Sequence, residues 1–536
     1  GYGRTQRRIW TAETDRTSAI AEGISRDKQL TKTLLSACGV AVPPGRMVSD
    51  ADDAWAAAED IGLPVVVKPY DGNHGRGVCL NLASHEQVLA AYPVAAAEGS
   101  GVIVERHMTG NEHRLLVVGN RLAAAARGQP AWVTGDGKQD IRALIESQLN
   151  SDPLRGGSGW SNAPLNRVGI DSATRLDLAS QGFQPDSVPG DGVQVLVQRN
   201  GNVCFDCTAL VHPDTVRQAV LAARVVGLDI AGIDLVAEDI SQPLEAQGGA
   251  IVEVNAGPGL STHLRPPGLP PTPVPEMIIE HLFGASDDGR IPVIGIAGTH
   301  GTRLASRVVA HLLQISGQKV GLACRDGLFL GTRCIDHRDS ANFVAGQRLL
   351  LNRSIDSAVI ENGLDVLLDQ GLAYDWCQVG VVTRMHPECL VPERYIDSVD
   401  QLYKVFRTQV DIVLEGRGIT VLNADDEQLV EMASLSKGAV MYFSANPGAS
   451  VLAGHAASGG RAVVLNQGVI LLREGDREVA QLRAGTLELP IEGDPRSADD
   501  GLLAAIAAAW ASGITAEHIQ AGLETLEPVP LARTPA

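Results

Sequence analysis

The chain has 536 residues, enough for roughly three or four domains of ordinary size. Its 44 Lys and Arg against 63 Asp and Glu give a net charge of −19, which argues against a nucleic-acid backbone or an anionic membrane as the main partner. No apolar run approaches the ~18 residues of a membrane span, and no signal-peptide pattern begins the chain. With eight scattered cysteines, these features predict a protein of the reducing cytoplasm.

The first helix signal follows Asp27, an acidic residue placed to cap a helix over residues 27–37 that opens with Lys28. Short apolar segments with strand character then alternate with helical stretches. They lie near residues 65–67, 102–104, 115–118, 193–198, 233–235 and 251–254. This alternation predicts an α/β or α+β fold for the first half of the chain.

A Gly-rich stretch follows the first of these strands, which ends in Lys68. The stretch contains His74, Gly75 and Gly77. A lysine at the end of an apolar strand can reach phosphates, and the backbone N–H groups of a Gly-rich turn can close over a triphosphate. The turn alone discriminates poorly, because hairpins also use glycine. His74 is placed to touch phosphate or substrate, with a purely structural role as the alternative.

Charged residues border the next two strands. Glu105 ends one of them, where it and the adjacent backbone can face an adenine or a ribose, and Glu112 opens the other. Arg114, Arg127 and Arg155 are candidate catalytic residues, because arginine binds phosphates and carboxylates in bidentate fashion. Each of the three arginines has an ordinary surface charge as its alternative.

Three oxygen-bearing side chains lie in two further apolar strands. Asp234 sits in Gly-Ile-Asp-Leu, and Glu253 and Asn255 sit in Ile-Val-Glu-Val-Asn, just before Ala-Gly-Pro-Gly. Glu253 and Asn255 are two residues apart, so they share one face of their strand. Such oxygens on adjacent strands suit Mg²⁺ that is also bound by ATP phosphates. The pattern favours a Mg²⁺ site over two carboxylates that merely face solvent.

The second half of the chain contains a phosphate-type loop without its usual chemistry. Residues 298–304 follow an apolar run, read Gly-Thr-His-Gly-Thr-Arg-Leu, and lead into a helix-like stretch. That context suits a loop that cradles phosphates at a helix N-terminus. A working loop needs a Lys for the β/γ-phosphates and a Ser or Thr for Mg²⁺, and these places hold Thr302 and Arg303. We therefore expect any ATP chemistry to reside elsewhere.

In this order, the segments of the first half resemble the ATP-grasp superfamily over residues 18–284. The resemblance rests on joint occurrence of Asp27-Lys28, Val67-Lys68-Pro69, the Gly-rich turn, Val104-Glu105, Glu112-His113-Arg114, Asp234 and Glu253-Val-Asn255. It implies a protein that uses ATP and Mg²⁺, with Lys28 and Lys68 on the phosphates. The implied metal ligands are Asp234, Glu253 and Asn255. The rest of the implied nucleotide site is His74, Gly75, Gly77, Glu105 and Glu112.

Further segments resemble cyanophycin synthetase, a family that couples an ATP-grasp domain to a Mur-ligase-like domain. They include residues 14–22, 67–77, 228–234 and 253–260 in the first half, and 380–383 and 421–426 in the second. The resemblance implies an α/β multidomain chain in three parts. These are the end of a missing N-terminal domain or linker at residues 1–17, the ATP-grasp domain at 18–284, and an incomplete Mur-ligase-like domain lacking its final lobe at 290–536.

The degenerate loop at 298–304 narrows the function that this resemblance implies. In the family, the ATP-grasp site extends a polyaspartate backbone and the Mur-like site attaches Arg to each side chain. With the second site inactive and structural, the resemblance implies the shorter, second type of cyanophycin synthetase. Such an enzyme is an ATP-dependent ligase that polymerises β-aspartyl dipeptides, such as β-aspartyl-arginine, through an acyl phosphate. The expected partners are the dipeptide, the growing polymer and a second copy of the chain in a homo-oligomer, with a dimer favoured.

Two other functions stay open. A ligase similar to glutathione synthetase would make one small peptide, and a non-catalytic scaffold would only bind nucleotide. One segment also departs from the family, because its Ser-Thr-Gly-Gly before His212 is replaced by a shorter stretch with Cys204 and Cys207. The two cysteines are interpreted as strand residues rather than a metal or redox pair, since no second pair lies nearby. The departure leaves the side chain of the dipeptide open.

Overall fold

A computed structural model describes residues 1–71, 77–153, 155, 167–264, 270, 272–483 and 495–526. The chain divides into two compact units. The first unit is Arg7–Ser286, and the second unit combines Gly1–Gln6 with Asp287–Ala536.

The first unit contains two antiparallel sheets and a small hairpin. Its strands are β1 (Ile9–Trp10), β2 (Glu13–Thr14), β3 (Gly45–Val48), β4 (Val65–Pro69), β5 (Cys79–Leu82), β6 (Val102–Arg106), β7 (Asn111–Val118), β8 (Arg121–Thr134), β9 (Gln194–Asp206), β10 (Ile230–Ala237) and β11 (Ala250–Ala256). The hairpin is β1-β2, one sheet has the order β3-β6-β4-β5, and the other has the order β11-β10-β7-β8-β9.

Nine helices accompany these sheets in the described part of the first unit. They are α1 (Ala19–Arg26), α2 (Lys28–Ala37), α3 (Ala51–Ile61), α4 (His85–Ala96), α5 (Ile141–Leu144), α6 (Ser172–Ser180), α7 (Pro213–Val226), α8 (Ser261–Leu264) and α9 (Val274–Phe283). Helix α2 begins where the sequence predicts. The Asp27 carboxylate accepts a hydrogen bond from the backbone N–H of Leu30 (2.9 Å), which satisfies a donor that the first helical turn leaves unpaired.

The two faces of the five-stranded sheet differ in character. Leu115, Ile233 and Val254 lie on the face that packs against Ala219 and Ala222 of α7, and all five side chains are almost completely buried. Successive strand side chains point to opposite faces. Residues 114, 234, 253 and 255 therefore lie on the other face, which is free of that helix and can present polar groups.

Residues 7–17 fold with the first unit, although the sequence placed them before the ATP-grasp domain. The Thr14 and Thr17 hydroxyls donate to the Asp229 carboxylate (2.7 and 2.9 Å), and Ala12 is fully buried. These contacts tie the hairpin to the start of β10, so the first unit begins at Arg7 and not at residue 18.

The second unit is built on one sheet of eleven strands. They are β12 (Val293–Ala297), β13 (Val320–Cys324), β14 (Gly327–Leu330), β15 (Arg333–Asp336), β16 (Ser357–Asn362), β17 (Val379–Val382), β18 (Ile419–Asn423), β19 (Ala439–Ser444), β20 (Arg461–Asn466), β21 (Val469–Glu474) and β22 (Arg477–Leu482). The order is β15-β14-β13-β16-β12-β17-β18-β19-β20-β21-β22. The seven central strands, β13 to β20 in that order, run parallel, and the strands at both edges are antiparallel.

Helices cover this sheet, as a buried parallel sheet requires. Those in the described part of the unit are α10 (Thr302–Ile315), α11 (Phe343–Leu350), α12 (Leu364–Asp369), α13 (Val399–Asp411), α14 (Glu427–Met432), α15 (Ser450–Ala457), α16 (Pro495–Ala511) and α17 (Ala516–Glu524). Five alanines of α16 are fully buried in the same core as α10, because small side chains let the two helices approach closely; they are Ala504, Ala505, Ala507, Ala508 and Ala509. Within the described ranges, no helix is both long and apolar enough to cross a bilayer.

Candidate active site

The three predicted metal ligands converge on the polar face of the five-stranded sheet. Asp234 of β10 lies directly opposite Glu253 of β11, and Gly232 lies opposite Asn255. Opposed residues in an antiparallel pair point to the same face. The Asn255 amide donates to an Asp234 oxygen (3.2 Å), so the two side chains are in contact.

Two cations from neighbouring elements neutralise these carboxylates. Arg114 of β7 lies opposite Asp234, and its Nε and Nη2 each donate to one Asp234 oxygen at 2.7 Å. Lys28, the first residue of α2, places its Nζ 3.6 Å from Glu253 Oε1. Arg114 was expected to bind phosphate or carboxylate directly, and in this structure its fork is occupied by Asp234.

Glu112 adds another acid beside this group, two residues before Arg114 on β7. Burial raises the pKa of Glu112 to about 7, and the negative charges of Asp234 and Glu253 add to that rise while Arg114 opposes it. Burial is the largest cause of this shift, and the two neighbouring carboxylates add to it. A divalent cation bound here would favour the ionised form of Glu112.

The donor set fits Mg²⁺, which prefers hard oxygen ligands. Among the described residues, no three His, Cys, Asp or Glu side chains form a metal-binding group. Asn255 would supply the third protein oxygen for such an ion, beside the carboxylates of Asp234 and Glu253. Water and phosphate oxygens normally complete such a magnesium shell.

A second charged cluster lies on the four-stranded sheet, where the sequence predicted Lys68 and Glu105. Lys68 Nζ is 2.9 Å from Glu105 Oε2, and Lys32 of α2 forms an ion pair with the other carboxylate oxygen, Oε1. Glu105 is 2% exposed, and both lysines are at least nine-tenths buried. Although burial alone would raise the pKa of Glu105, Lys68 and Lys32 lower it below its ordinary value.

Lys32 was not identified from the sequence. The available signal was its spacing of four residues from Lys28, which places both lysines on one side of α2. A lysine inside an amphipathic helix is normally solvated, so the sequence gave no reason to single it out.

Arg127 does not join this group. It lies opposite His113 in the β7–β8 pair, whereas Arg114 lies opposite Ala126. Because alternate residues face opposite sides of a strand, Arg127 is on the face turned away from Asp234. Burial lowers the pKa of His113 to about 4, and the Arg127 charge contributes to that shift, which confirms that the two are neighbours.

Gly77, Arg155, His74 and Gly75 are the remaining predicted site residues. Gly77 has a φ of +71°, in the left-handed region that glycine adopts most easily. Arg155 is half-buried, and its backbone N–H donates to the Asp152 carbonyl (2.9 Å). His74 and Gly75 lie outside the described residues.

His263 follows the metal-ligand strand and lies on α8. It is 2% exposed, and neither ring nitrogen has a hydrogen-bond partner within the described ranges. Burial lowers its pKa to about 4, with the positive charge of Arg114 contributing, so the ring is neutral near pH 7. A neutral imidazole in this place can donate one hydrogen bond and accept another.

The loop at 298–304 is satisfied by contacts within the second unit. Thr302 donates to Glu361 Oε1 (2.8 Å), and the backbone N–H of Arg325 donates to Glu361 Oε2 (2.9 Å). Arg303, which stands where a working loop has a Ser or Thr for Mg²⁺, forms an ion pair with Asp326. Burial raises the pKa of Glu361, a fully buried residue whose two oxygens are already used.

Helix α16 also abuts this loop. A Cβ added at Gly301 would lie 3.0 Å from the Ser497 carbonyl oxygen and 3.1 Å from the Gly501 nitrogen. Arg384 Nε is 2.6 Å from Asp500 Oδ2, and the Asn423 amide donates to the other Asp500 oxygen (3.2 Å). The region around the loop is thus filled by its own side chains and by the start of α16.

Comparison with known proteins identifies the domain family of the first unit. Residues 20–118 match the model of the ATP-grasp domain family, so the first unit carries an ATP-grasp domain. Over 533 residues the chain is 36% identical to cyanophycin synthetase from Synechocystis sp. (strain ATCC 27184 / PCC 6803 / Kazusa), covering 98% of this chain and 60% of that protein. It is 34% identical over 531 residues to cyanophycin synthetase from Trichormus variabilis, covering 98% and 58%.

Over 98% of its length the chain is homologous to cyanophycin synthetases. Its fold is α/β and multidomain, with an ATP-grasp domain in the first unit, as the sequence predicts. The chain spans about three fifths of the length of these relatives.

More distant similarities concern parts of the chain. The glutathione biosynthesis bifunctional protein of Clostridium perfringens is 30% identical over 265 residues, covering 47% of this chain and 33% of that protein. A bifunctional glutathione synthetase from Pasteurella multocida superposes with a TM-score of 0.34 at 27% identity, covering 51% of this chain and 38% of that one.

Proposed function

We propose that this protein is an ATP-dependent carboxylate–amine ligase that polymerises β-aspartyl dipeptides into cyanophycin or a similar polymer. The dipeptide is β-aspartyl-arginine or a related unit. The reaction takes place at the polar face of the first unit, and the Mur-ligase-like unit is inactive and structural. One contrast supports the proposal. Asp234, Glu253 and Asn255 bring three oxygen donors to one polar face of a sheet, beside Glu112, whereas Glu361 of the second unit is fully buried and accepts hydrogen bonds from Thr302 and from the backbone of Arg325.

The proposed reaction has two steps. A carboxylate oxygen at the end of the polymer attacks the terminal phosphorus of ATP, which releases ADP and leaves an acyl phosphate. The amine of the incoming dipeptide then attacks the acyl carbon, the phosphate leaves, and the nitrogen gives up a proton. Mg²⁺, held by Asp234, Glu253 and Asn255, would neutralise charge on the phosphates.

The residues of the chain position the reactants and stabilise charge. Lys28 and Lys68 supply ammonium groups for the phosphates, from α2 and from the end of β4. Arg114 keeps Asp234 fixed by its two hydrogen bonds, so the carboxylate faces the site in one orientation. The partners of the reaction are the aspartyl dipeptide and the growing polymer chain.

The direct test is incubation of the purified chain with ATP, Mg²⁺ and β-aspartyl-arginine, read by ADP release and by product mass. We expect ADP release that depends on the dipeptide, and a ladder of masses spaced by one condensed unit. A single small product would instead assign a glutathione-synthetase-like reaction. ATP binding without any dipeptide-dependent ADP release, across a panel of β-aspartyl dipeptides, would reduce the protein to a nucleotide-binding scaffold.

A further inference from the structure

A buried charge imbalance surrounds Glu105 in the first unit. Its two carboxylate oxygens each contact a different lysine, Lys32 at Oε1 and Lys68 at Oε2. Two ammonium groups around one carboxylate leave a net charge of +1 in a place where all three side chains are buried. Buried charges are normally paired, so the surplus requires an anion from outside the triad.

The surrounding structure makes room for this arrangement. Glu105 lies opposite Gly45 in the β3–β6 pair, and a Cβ at Gly45 would come within 2.6 Å of Glu105 Cγ. The glycine therefore allows the Glu105 side chain to lie across the sheet between the two lysines. Each Glu105 oxygen is engaged by one lysine, and the side chain is closed to solvent.

The second lysine carries an electrostatic cost. Burial lowers the pKa of Lys32 to about 8, and repulsion from Lys68 and Lys28 adds to the shift while Glu105 opposes it. A methionine in the same place would avoid that cost. An ion pair between Lys68 and Glu105 alone would also satisfy both of those groups, so Lys32 is unnecessary for neutrality.

We propose that Lys32 is a positioning residue of the nucleotide site, acting through Glu105 on Lys68. Lys32 takes up the negative charge of Glu105, which leaves the charge of Lys68 uncompensated and directed at an anionic phosphate. Without Lys32, the pair of Lys68 and Glu105 is neutral, and its attraction for polyphosphate falls. The inference rests on the proposed function in one respect, namely that the anion is the triphosphate of ATP.

The test measures Mg-ATP binding to the full chain by calorimetry, and separately the KM for ATP and kcat of the ligation. For Lys32→Met, we expect a dissociation constant for ATP raised by roughly 10- to 100-fold, with kcat at saturating ATP changed much less. Lys32→Arg keeps the charge, so its affinity stays within about threefold of the wild type. Lys319→Met, an exposed lysine of the second unit, is the control and leaves binding unchanged.

The double variant Lys32→Met/Glu105→Gln separates charge from shape. It restores the net charge of +1, so we expect it to bind ATP nearly as well as the wild type, although it lacks both native side chains. Unchanged binding by Lys32→Met, or a double variant as weak as Lys32→Met with an unaltered melting temperature, would overturn the inference. Absence of ATP binding by the wild type would overturn the proposed function itself, which the variants alone do not address.

Discussion

Replacing Glu253 with Gln is expected to abolish ATP-dependent polymerisation, with a loss in kcat/KM on the order of 100-fold or more. The substitution keeps the size of the side chain and removes one of only two carboxylates in the metal-ligand set. It also releases Lys28, whose Nζ is 3.6 Å from Glu253 Oε1. The measurement is ADP release with β-aspartyl-arginine over a range of Mg²⁺ concentrations, because a weakened metal site is partly rescued by more metal.

The matched control is Glu361→Gln, the same chemical change at the corresponding acid of the second unit. Glu361 accepts hydrogen bonds from Thr302 and from the backbone of Arg325. Burial raises the pKa of Glu361 and so favours the neutral acid, which Gln resembles in shape and charge. We therefore expect polymerisation per folded molecule to stay near the wild-type level. Loss of activity in a Glu361→Gln protein with an unchanged melting temperature would refute the single-site mechanism.

The sequence predicted the shared face of Glu253 and Asn255 because the relevant geometry is local. Glu253 and Asn255 are two residues apart in one strand, and β-strand periodicity alone places them on the same face. Asp27 was identified as a helix cap for a similar reason, since the cap and its partner Leu30 are three residues apart. Features that depend on a fixed short spacing, such as a shared strand face or a helix cap, were therefore predictable from the sequence.

Arrangements that depend on strand pairing were not predictable in this way. Arg114 and Arg127 have the same chemistry and lie on neighbouring strands. Only the β7–β8 register, which pairs Arg127 with His113, shows that the two arginines face opposite sides of the sheet. Lys32 was missed because its partner Glu105 is distant in the chain and reaches helix α2 from a strand of the four-stranded sheet. The start of the first unit at Arg7 likewise follows from the contacts of Thr14 and Thr17 with Asp229, a residue of the β10 region.

Ion pairs surround the filled loop of the second unit. Arg384 pairs with the fully buried Asp500 between the end of β17 and helix α16, and Arg303 pairs with Asp326 beside the same loop. These pairs hold together elements that surround the loop. In the proposed function, where the second unit is structural, these side chains contribute to stability rather than to catalysis.

Replacing Arg384 with Met should therefore destabilise the second unit by about 3–5 kcal/mol, since it leaves the Asp500 charge buried without its cation. Burial raises the pKa of Asp500 from its ordinary 3.8 to about 6, and Arg384 opposes that rise. An acid whose folded pKa exceeds its unfolded pKa loses stability as the pH rises between the two. Without Arg384 the folded pKa moves higher, so the loss extends to higher pH.

Calorimetric unfolding at pH 5 and pH 8 distinguishes this electrostatic effect from a packing defect. At pH 5 Asp500 of the Arg384→Met variant is protonated, and we expect only a modest decrease in melting temperature. At pH 8 the decrease should be larger, and the double variant Arg384→Met/Asp500→Asn should recover most of the difference because the buried charge is gone. An equal loss at both pH values, unrelieved by Asp500→Asn, would show that Arg384 stabilises the unit by packing. Activity per folded molecule should stay unchanged in all these variants, because the proposed reaction takes place at the face of the first unit that carries Asp234 and Glu253.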